Sequence, residues 1–241
     1  CCFTGDRSIA PYEPWQEVLK ETQTGRTKTF NWFCDDTWRF DGFSSRACQH
    51  FSVCSTPEPD YLEKYKQLGY NNIILGIWHA NSEFYKVKKF EQKNIDLSFI
   101  GNITPNRKAF FEEVRVPVEN IFGVSNEELF DAHTRSKIGI NLSTNDNDPR
   151  RKTQMKQRMF EIPAGSGLLL TEHHDAIEDF FEIDKEIVTF KTIDEFNKKC
   201  EFLLRNPKIV KKIADNGYKR FIKDHDSKVR LREVLKEIEK C

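Results

Sequence analysis

The stretch TQMKQRMFEIPAGSGLLLT, residues 153–171, places an amphipathic helix directly before a short apolar strand. Apolar residues recur three and four positions apart as far as Ile162, which is the spacing of one helix face, so a helix is predicted over 153–162. A turn with a proline and two glycines follows. Leu168–Thr171 then has the apolar character of a buried strand. A helix that leads into a buried strand is the repeating unit of parallel sheets.

The same alternation of apolar runs and helical patterns extends along most of the chain. Strands that alternate with helices form βαβ units, and these build a parallel sheet covered on both faces. The sequence therefore predicts an α/β fold with Rossmann-like, doubly wound parallel sheets, in which ligands bind beyond the carboxyl ends of the strands. The predicted strands are Phe30–Phe33, Phe51–Cys54, Ile73–Trp78, Ile95–Ile100, Ile138–Leu142, Leu168–Thr171 and Ile187–Phe190, and further helices are predicted over Pro57–Leu68, over Ile193–Leu204, after Asn206 and after Ser227, the last with Leu231, Leu235 and Ile238 facing inward.

The charge and composition exclude several classes of protein. The 241 residues include 38 Lys and Arg and 38 Asp and Glu, so the formal net charge is zero. Binding to nucleic acid or to an anionic membrane needs surplus positive charge, so neither partner is predicted. No apolar run approaches the about 20 residues of a membrane-spanning helix, so no transmembrane segment is predicted. Seven cysteines without a C-x-x-C pair indicate reduced thiols and a cytoplasmic location.

Two features bear on domain organisation. The chain begins with Cys1 instead of methionine, which we interpret as the edge of a longer chain. The lysine-rich stretch Asn81–Asn94 has little periodicity, which is typical of a junction. Two domains are predicted, residues 1–90 and 91–241.

The end of the predicted strand Ile95–Ile100 has the features of a phosphate site. Gly101 and Asn102 follow the strand directly, and Arg107 lies within reach of the same turn. A phosphate group binds to exposed backbone amides and cations, and a glycine lets the backbone approach it closely. The alternative is an ordinary β-to-α turn with solvated basic residues.

A second candidate site lies in the predicted helix over 153–162. Arg158 and Glu161 are three residues apart and share a helix face, with Lys156 just before them. The carboxylate could accept hydrogen bonds from two ribose hydroxyls, and the guanidinium could pair with a diphosphate. The alternative is a salt bridge on a solvated face, which contributes only a few tenths of a kcal/mol.

Other polar residues carry weaker signals. Asp36 and His79 each follow a predicted strand, where they could supply a base or a sugar contact or simply cap a turn. The adjacent residues His173 and His174 lack a third ligand at a suitable spacing, so no metal site and no cofactor are predicted. Gly165–Gly167 does not match the nucleophile elbow of serine hydrolases.

Several segments together resemble one known family. In order and spacing they are similar to the carboxyl-terminal domain of CgeB-type, spore-maturation-like glycosyltransferases, which belong to the GT-B group of nucleotide-sugar enzymes. The resemblance extends from about residue 95 to the end of the chain. It is carried by Ile140–Ser143, Lys156–Gly165, Gly167–Thr171, Phe180–Glu182, Lys185–Val188, Leu203–Pro207, Ile213–Gly217, His225 and Arg230.

The resemblance implies a GT-B-like architecture. Residues 91–241 would form the nucleotide-sugar-binding domain. Residues 1–90 would be the remainder of the acceptor-side domain, which the resemblance implies is truncated because a complete one would need roughly 150 residues.

The resemblance also implies roles for the candidate residues. Glu161 would hold the ribose of a nucleotide-diphosphate sugar. The diphosphate would be bound by five residues, which are Gly101, Asn102, Arg107, Lys156 and Arg158. Many retaining GT-B enzymes have a second glutamate eight positions before the ribose-binding one, where this chain has Thr153. Retaining and inverting chemistry are therefore both left open.

The implied reaction is transfer of a sugar to an unknown glycan, protein or small-molecule acceptor, without an obligatory metal. Inversion would require a base from the amino-terminal half, for which Asp36 and His79 are the leading candidates and Asp35 a further one. A non-catalytic nucleotide-sugar or glycan-binding protein is the alternative from another class. A single flavodoxin-like module is disfavoured by the predicted strands before residue 94.

Overall fold

The computed structural model describes residues 12–144 and 152–241. The chain forms two compact units. The first comprises the described chain up to Ile77 together with Arg230–Cys241, and the second comprises Trp78–Val229. The units differ from the predicted division at residue 90, since residues 78–90 group with the second unit and the end of the chain groups with the first. Across residues 12–144 and 152–241, no helix combines the length and apolarity that crossing a bilayer requires.

The first unit contains a parallel sheet of three strands in the order β1-β2-β3. Its strands are β1 (Phe30–Trp32), β2 (Val53–Thr56) and β3 (Ile73–Leu75), and its helices are α1 (Trp15–Thr24), α2 (Asp36–Arg39), α3 (Ser45–Ala47) and α4 (Tyr61–Gln67), with a π-helical turn at Phe40–Ser44 and a 3-10 turn at Cys48–His50. The core is aromatic, with the rings of Phe33 and Tyr65 stacked at 6.1 Å between centroids. Strand β2 begins later and β3 ends earlier than predicted.

The second unit contains a five-stranded parallel sheet in the order β5-β4-β6-β7-β8. The strands are β4 (Ile95–Ile100), β5 (Glu119–Ile121), β6 (Ser136–Asn141), β7 (Leu168–Glu172) and β8 (Val188–Phe190). The helices are α5 (Pro105–Glu112), α6 (Asn126–Arg135), α7 (Arg158–Ala164), α8 (Ile193–Arg205) and α9 (Pro207–Arg220), with 3-10 turns at Ser82–Phe84, Phe90–Gln92 and Asp175–Asp179 and a π-helical turn at Phe221–His225. The last helix, α10 (Ser227–Lys240), begins in the second unit and continues into the first from Arg230 onward. The predicted α/β fold with parallel sheets is confirmed.

The strand order determines where a ligand site can form. Strand β5 pairs with one edge of β4, and β6 pairs with the other edge, followed outward by β7 and β8. The order therefore reverses between β4 and β6, and the crevice beyond their carboxyl ends is where open α/β sheets bind ligands. Gly101 follows β4 directly, which places the predicted phosphate loop at this crevice.

Helix α7 packs closely against β6. A Cβ atom at Gly139, in the middle of β6, would stand only 2.7 Å from Cγ1 of Ile162, so glycine at this position permits the close approach of the helix. The predicted start of this helix at Thr153 is wrong. Thr153 instead forms an antiparallel bridge with Thr144, which holds this part of the chain extended, and the helix begins at Arg158.

The last helix also differs from the prediction. Leu231 and Leu235 were expected to face inward, but they are 50% and 58% exposed. The helix repeats apolar residues at the correct spacing, but a spacing shows only that two side chains share a face. It does not show that another element covers that face.

Candidate functional site

The end of strand β4 is held in place by its neighbour β5. The Gly101 N–H donates a hydrogen bond to the carbonyl of Ile121 at 2.9 Å. The amide Nδ2 of Asn120 donates to the carbonyls of both Phe99 and Gly101, each at 3.1 Å. Because these bonds come from a neighbouring strand, the position of the Gly101 backbone is fixed before any ligand arrives.

Two guanidinium groups meet at the ring of Phe99. The Cζ atoms of Arg107 and Arg158 lie 5.4 Å and 5.1 Å from its centroid, within the range of cation–π contacts. Arg107 Nη1 also donates a hydrogen bond to the carbonyl of Asn102 at 2.9 Å. A Cβ atom at Gly101 would stand 2.7 Å from Nη2 of Arg158. The structure thus brings together four of the residues predicted to bind a diphosphate.

This cluster is strongly cationic. Burial lowers the pKa of Arg158 to about 10, and repulsion from Arg107 acts in the same direction while Glu161 opposes it. A guanidinium with this pKa is still charged at neutral pH. An anion bound between the two arginines would relieve their repulsion, and guanidinium groups bind phosphate oxygens with paired, charge-assisted hydrogen bonds.

Glu161 lies on α7, one turn after Arg158. Its side chain is only 14% exposed, so the expectation of a salt bridge on a solvated face does not describe this residue. Burial raises its pKa, and the charge of Arg158 acts in the opposite direction. A carboxylate with two acceptor oxygens at the edge of a cationic site is suited to bind a pair of neighbouring hydroxyl groups.

Lys156 lies two residues before α7, and its side chain is half-buried. Its carbonyl accepts a hydrogen bond from the N–H of Met159 at 3.0 Å and so helps to start the helix. Met155, directly before it, is fully buried. The structure therefore anchors the backbone here by packing, and a phosphate contact of the Lys156 side chain stays a prediction.

The two residues predicted as bases lie in different units. Asp36 begins α2 in the first unit and is fully buried. Its carboxylate accepts hydrogen bonds from the hydroxyls of Tyr65, at 2.9 Å, and of Ser44 and Thr56. Burial raises its pKa to about 6, although these hydrogen bonds lower it. These contacts are typical of a structural carboxylate.

His79 belongs to the second unit. Its ring is half-buried, and Nδ1 lies 2.9 Å from Oγ of Ser227, the first residue of α10. Asp226, just before that helix, accepts a hydrogen bond from the N–H of Ser82 at 3.0 Å. His79 therefore lies where the segment after β3 contacts the start of the last helix.

Four residues near this site were not predicted from sequence. Phe99 lies inside the predicted strand Ile95–Ile100 and was given no role of its own, and Asn120 lies in a short polar strand with no apolar pattern. His133 and Lys93 are almost completely buried, at 2% and 4% exposure, yet nothing in their local sequence indicates burial. Their roles depend on helices that are far apart in the chain.

Groups of three or more His, Cys, Asp or Glu residues placed to hold a metal ion are not found in the part of the chain that the structure describes. His173 and His174, weighed above, follow β7 and do not form such a group. Nδ1 of His174 instead accepts a hydrogen bond from the N–H of Ala176 at 3.1 Å, which caps a 3-10 turn.

Comparison with known proteins now assigns the family. The family model described as "Glycosyl transferase-like" matches residues 85–236, which is more than half of the chain. The chain belongs to the glycosyl transferase-like family. The match includes β4, α7 and all the second-unit residues that line the candidate site. No curated protein matches the chain significantly.

Solved structures show that this family member has the GT-B fold of glycosyltransferases. A glycosyltransferase from Rickettsia africae matches with a TM-score of 0.64 and 10% identity, over 97% of this chain and 78% of the other. HepE of Anabaena, in complex with UDP, matches with a TM-score of 0.65 and 10% identity, over 99% and 85%. An alpha-glucosyltransferase bound to UDP-glucose and DNA matches with a TM-score of 0.68 and 10% identity, over 93% and 76%. At these identities the likeness shows the fold alone.

Proposed function

We propose that this chain is a glycosyltransferase that takes its sugar from a nucleotide-diphosphate donor. The observation that carries the proposal is the pair Arg107 and Arg158 on the ring of Phe99, beside Gly101 at the end of β4. Two cations at a strand-order reversal, next to a glycine that leaves the backbone accessible, form a site for a diphosphate.

The ribose of the donor would bind to Glu161. Glu161 follows Arg158 by three residues on the same helix, so the two side chains lie on one helix face. The diphosphate and the ribose of a nucleotide are adjacent groups, and they could therefore bind to these two neighbours. Lys156 and an amide N–H of Asn102 would complete the diphosphate contacts. In the same fold, HepE of Anabaena binds UDP, and an alpha-glucosyltransferase binds UDP-glucose. We therefore propose a UDP-hexose as the first donor to test and a hexosyltransferase activity.

Stabilisation of the leaving group's negative charge would lower the barrier to sugar transfer. Breaking the bond between sugar and phosphate builds negative charge on the departing diphosphate, and Arg107 and Arg158 are placed to stabilise it. Two guanidinium groups can do this without a metal ion, so we propose that none is obligatory. The acceptor, a glycan, a protein or a small molecule, is left open. The segments from Ile140 onward support a CgeB-type branch of the family.

The sugar-transfer step is tested separately through the two predicted bases. If the enzyme inverts, replacing the base, Asp36 or His79, lowers turnover without weakening UDP binding. The variants Asp36→Asn and His79→Gln keep similar size and polarity. Unchanged turnover in both would remove these residues from the mechanism and favour retaining chemistry, which needs no such base.

The donor site is tested by binding. We expect UDP to raise the melting temperature of the wild type in a screen that also contains GDP, ADP and CMP, alone and as sugar conjugates, followed by calorimetry. Glu161→Ala should weaken the binding of the stabilising nucleotide. Glu63→Ala, which removes a carboxylate that is 67% exposed on α4, is the matched control. Equal affinity of wild type and Glu161→Ala would refute the ribose assignment.

A non-catalytic nucleotide-sugar or glycan-binding protein is the second candidate. Two observations favour it, the complete burial of Asp36 and the presence of Thr153 where many retaining enzymes have a glutamate. Measuring hydrolysis or transfer of the sugar from the bound donor distinguishes the two functions, because a binding protein would release its ligand intact. A cytoplasmic location is also proposed, since all five cysteines in residues 12–144 and 152–241 are free thiols.

A further inference from the structure

His133 is a buried imidazole that faces the proposed ribose-binding carboxylate. It lies in the last turn of α6 and is 2% exposed. Its Nε2 atom is buried and has no hydrogen-bond partner. Oε2 of Glu161 lies 3.8 Å from that atom. A hydrogen bond between nitrogen and oxygen needs about 2.7–3.2 Å, so the two groups are close neighbours but are not hydrogen-bonded at this distance.

The helices that carry these two residues are fixed to each other. A Cβ atom at Gly165, directly after α7, would stand 2.7 Å from the carbonyl of His133, so the two helix ends are in direct contact. The buried Lys93 donates hydrogen bonds to the carbonyls of Thr134 and Gly165, at 2.7 Å and 2.8 Å. One lysine thus joins the ends of both helices and fixes the backbone of His133 relative to α7.

The imidazole is neutral in these surroundings. Burial lowers the pKa of His133 to about 3, and the charges of Arg158 and Lys93 act in the same direction. The other titratable group against it is Tyr85, whose ring centroid lies 6.2 Å away and whose pKa is raised by burial and by Glu161. A neutral imidazole carries a proton on one ring nitrogen and can donate one directional hydrogen bond from it.

We propose that His133 is a positioning residue for the donor site, in which Nε2–H donates a hydrogen bond to Oε2 of Glu161 and leaves Oε1 to bind the ribose. The inference rests on the proposed function, since it assumes that Glu161 holds the nucleotide. Closing the present gap needs a movement of about 1 Å in the glutamate side chain.

Which group donates the hydrogen bond to Glu161 determines how much positive charge the site holds. The charge of Arg158 offsets the effect of burial on Glu161 only in part, because the pKa of Glu161 is still raised, and the same guanidinium is needed for the diphosphate. A neutral N–H stabilises the ionised carboxylate without adding a third cation to a site that already holds Arg107 and Arg158. His133 thereby keeps Glu161 anionic, which is the form with two acceptor oxygens.

The first test needs no nucleotide. A ¹⁵N spectrum of the histidine side chains in the full chain should show His133 neutral at pH 7 with the proton on Nε2. In ¹³C spectra of the glutamate carboxyls, the Glu161 resonance should titrate at a higher pH in His133→Phe than in the wild type. His133→Gln, whose amide can donate in the same direction, should restore the titration. A proton on Nδ1, or a Glu161 titration that does not move, would overturn the proposal.

The second test measures the affinity for UDP as a function of pH. Affinity should fall as Glu161 is protonated on the acidic side. Loss of the hydrogen bond raises the pKa of the carboxyl, so the fall should begin at higher pH in His133→Phe, with about tenfold weaker binding there. His133→Gln should follow the wild type. A merely structural role would lower the melting temperature and leave the shape of the pH profile unchanged.

A double-mutant cycle separates this inference from the function on which it rests. In the Glu161→Gln background, His133→Phe should have no further effect on UDP affinity, because its partner is already neutral. If Glu161→Gln binds UDP as well as the wild type, the ribose assignment fails. If Glu161→Gln weakens binding but His133→Phe alone does not, only the role of His133 fails.

Discussion

Arg158 occupies the space that a side chain at residue 101 would need. A Cβ atom added to Gly101 would stand 2.7 Å from Nη2 of Arg158 and 3.3 Å from its Cζ atom. Gly101 also has a φ of 155°, which side-chain-bearing residues rarely adopt. The glycine is therefore required twice, by the backbone conformation and by the guanidinium that lies over the strand end.

This relationship predicts the effect of Gly101→Ala. The methyl group should displace the Arg158 guanidinium, whose loss from a phosphate costs about 1.5–3 kcal/mol. We expect UDP binding in calorimetry to weaken by about tenfold or more, since each 1.4 kcal/mol corresponds to a factor of ten. Gly42→Ala is the matched control, because a Cβ atom at Gly42 meets nothing within 4 Å. Equal affinity of the two variants would contradict the assignment.

Arg158→Met should separate binding from stability. The variant removes a cation that burial and Arg107 both disfavour, so the free energy of unfolding should stay the same or rise. The affinity for UDP should still fall by about tenfold to a hundredfold through loss of charge-assisted hydrogen bonds. Arg115→Met is the control, since it removes a guanidinium from an exposed ion pair with Asp194. A loss of stability as large as the loss of binding would indicate a structural role.

Asp36 should make the stability of the protein depend on pH. Burial raises its pKa to about 6, so between about pH 4 and pH 6 the folded state binds a proton that the unfolded state has lost. The stability contributed by the protonated form is complete below pH 4 and is lost as the pH rises through 6. The neutral variant Asp36→Asn should lack this loss, and its free energy of unfolding in urea at pH 8 should exceed that of the wild type by about 3 kcal/mol.

The comparison of Asp36→Asn with the wild type at pH 4 is the control for this prediction. In the folded state both side chains are neutral there, so the difference in free energy of unfolding should be much smaller than at pH 8. A difference that stays constant from pH 4 to pH 8 would show that the carboxyl does not titrate in this range.

Lys93 should be a determinant of stability in the second unit. Lys93→Met keeps the aliphatic stem but leaves the carbonyls of Thr134 and Gly165 without their donor. An unsatisfied buried acceptor costs about 1–3 kcal/mol, so we expect a loss of about 2 kcal/mol in urea denaturation. Lys198→Met, at an exposed position of α8, should change the free energy of unfolding by less than about 0.5 kcal/mol. Equal losses of stability in both variants would contradict the stabilising role of the Lys93 hydrogen bonds to Thr134 and Gly165.

The sequence by itself determined the fold class and the location of its clearest elements. Strand Ile95–Ile100 was predicted with the bounds that the structure shows, and helix α8 was predicted to within one residue at its end. Both are specified by local information, because a buried strand and an amphipathic helix each repeat apolar residues at a fixed spacing. The candidate residues Gly101, Arg158 and Glu161 could be named from sequence because they lie at the end of such a strand or within such a helix, and their roles stay predictions.

Only the tertiary structure decided which of these residues lie close together. Strand β5 is short and polar, so nothing in its sequence marked it, yet Asn120 fixes the backbone of Gly101. Arg107 and Arg158 come from different helices and meet because both pack on Phe99. His133 faces Glu161 because two helix ends close on each other at Gly165. Such contacts depend on how distant segments pack, and that packing cannot be inferred from the spacing of residues along the chain.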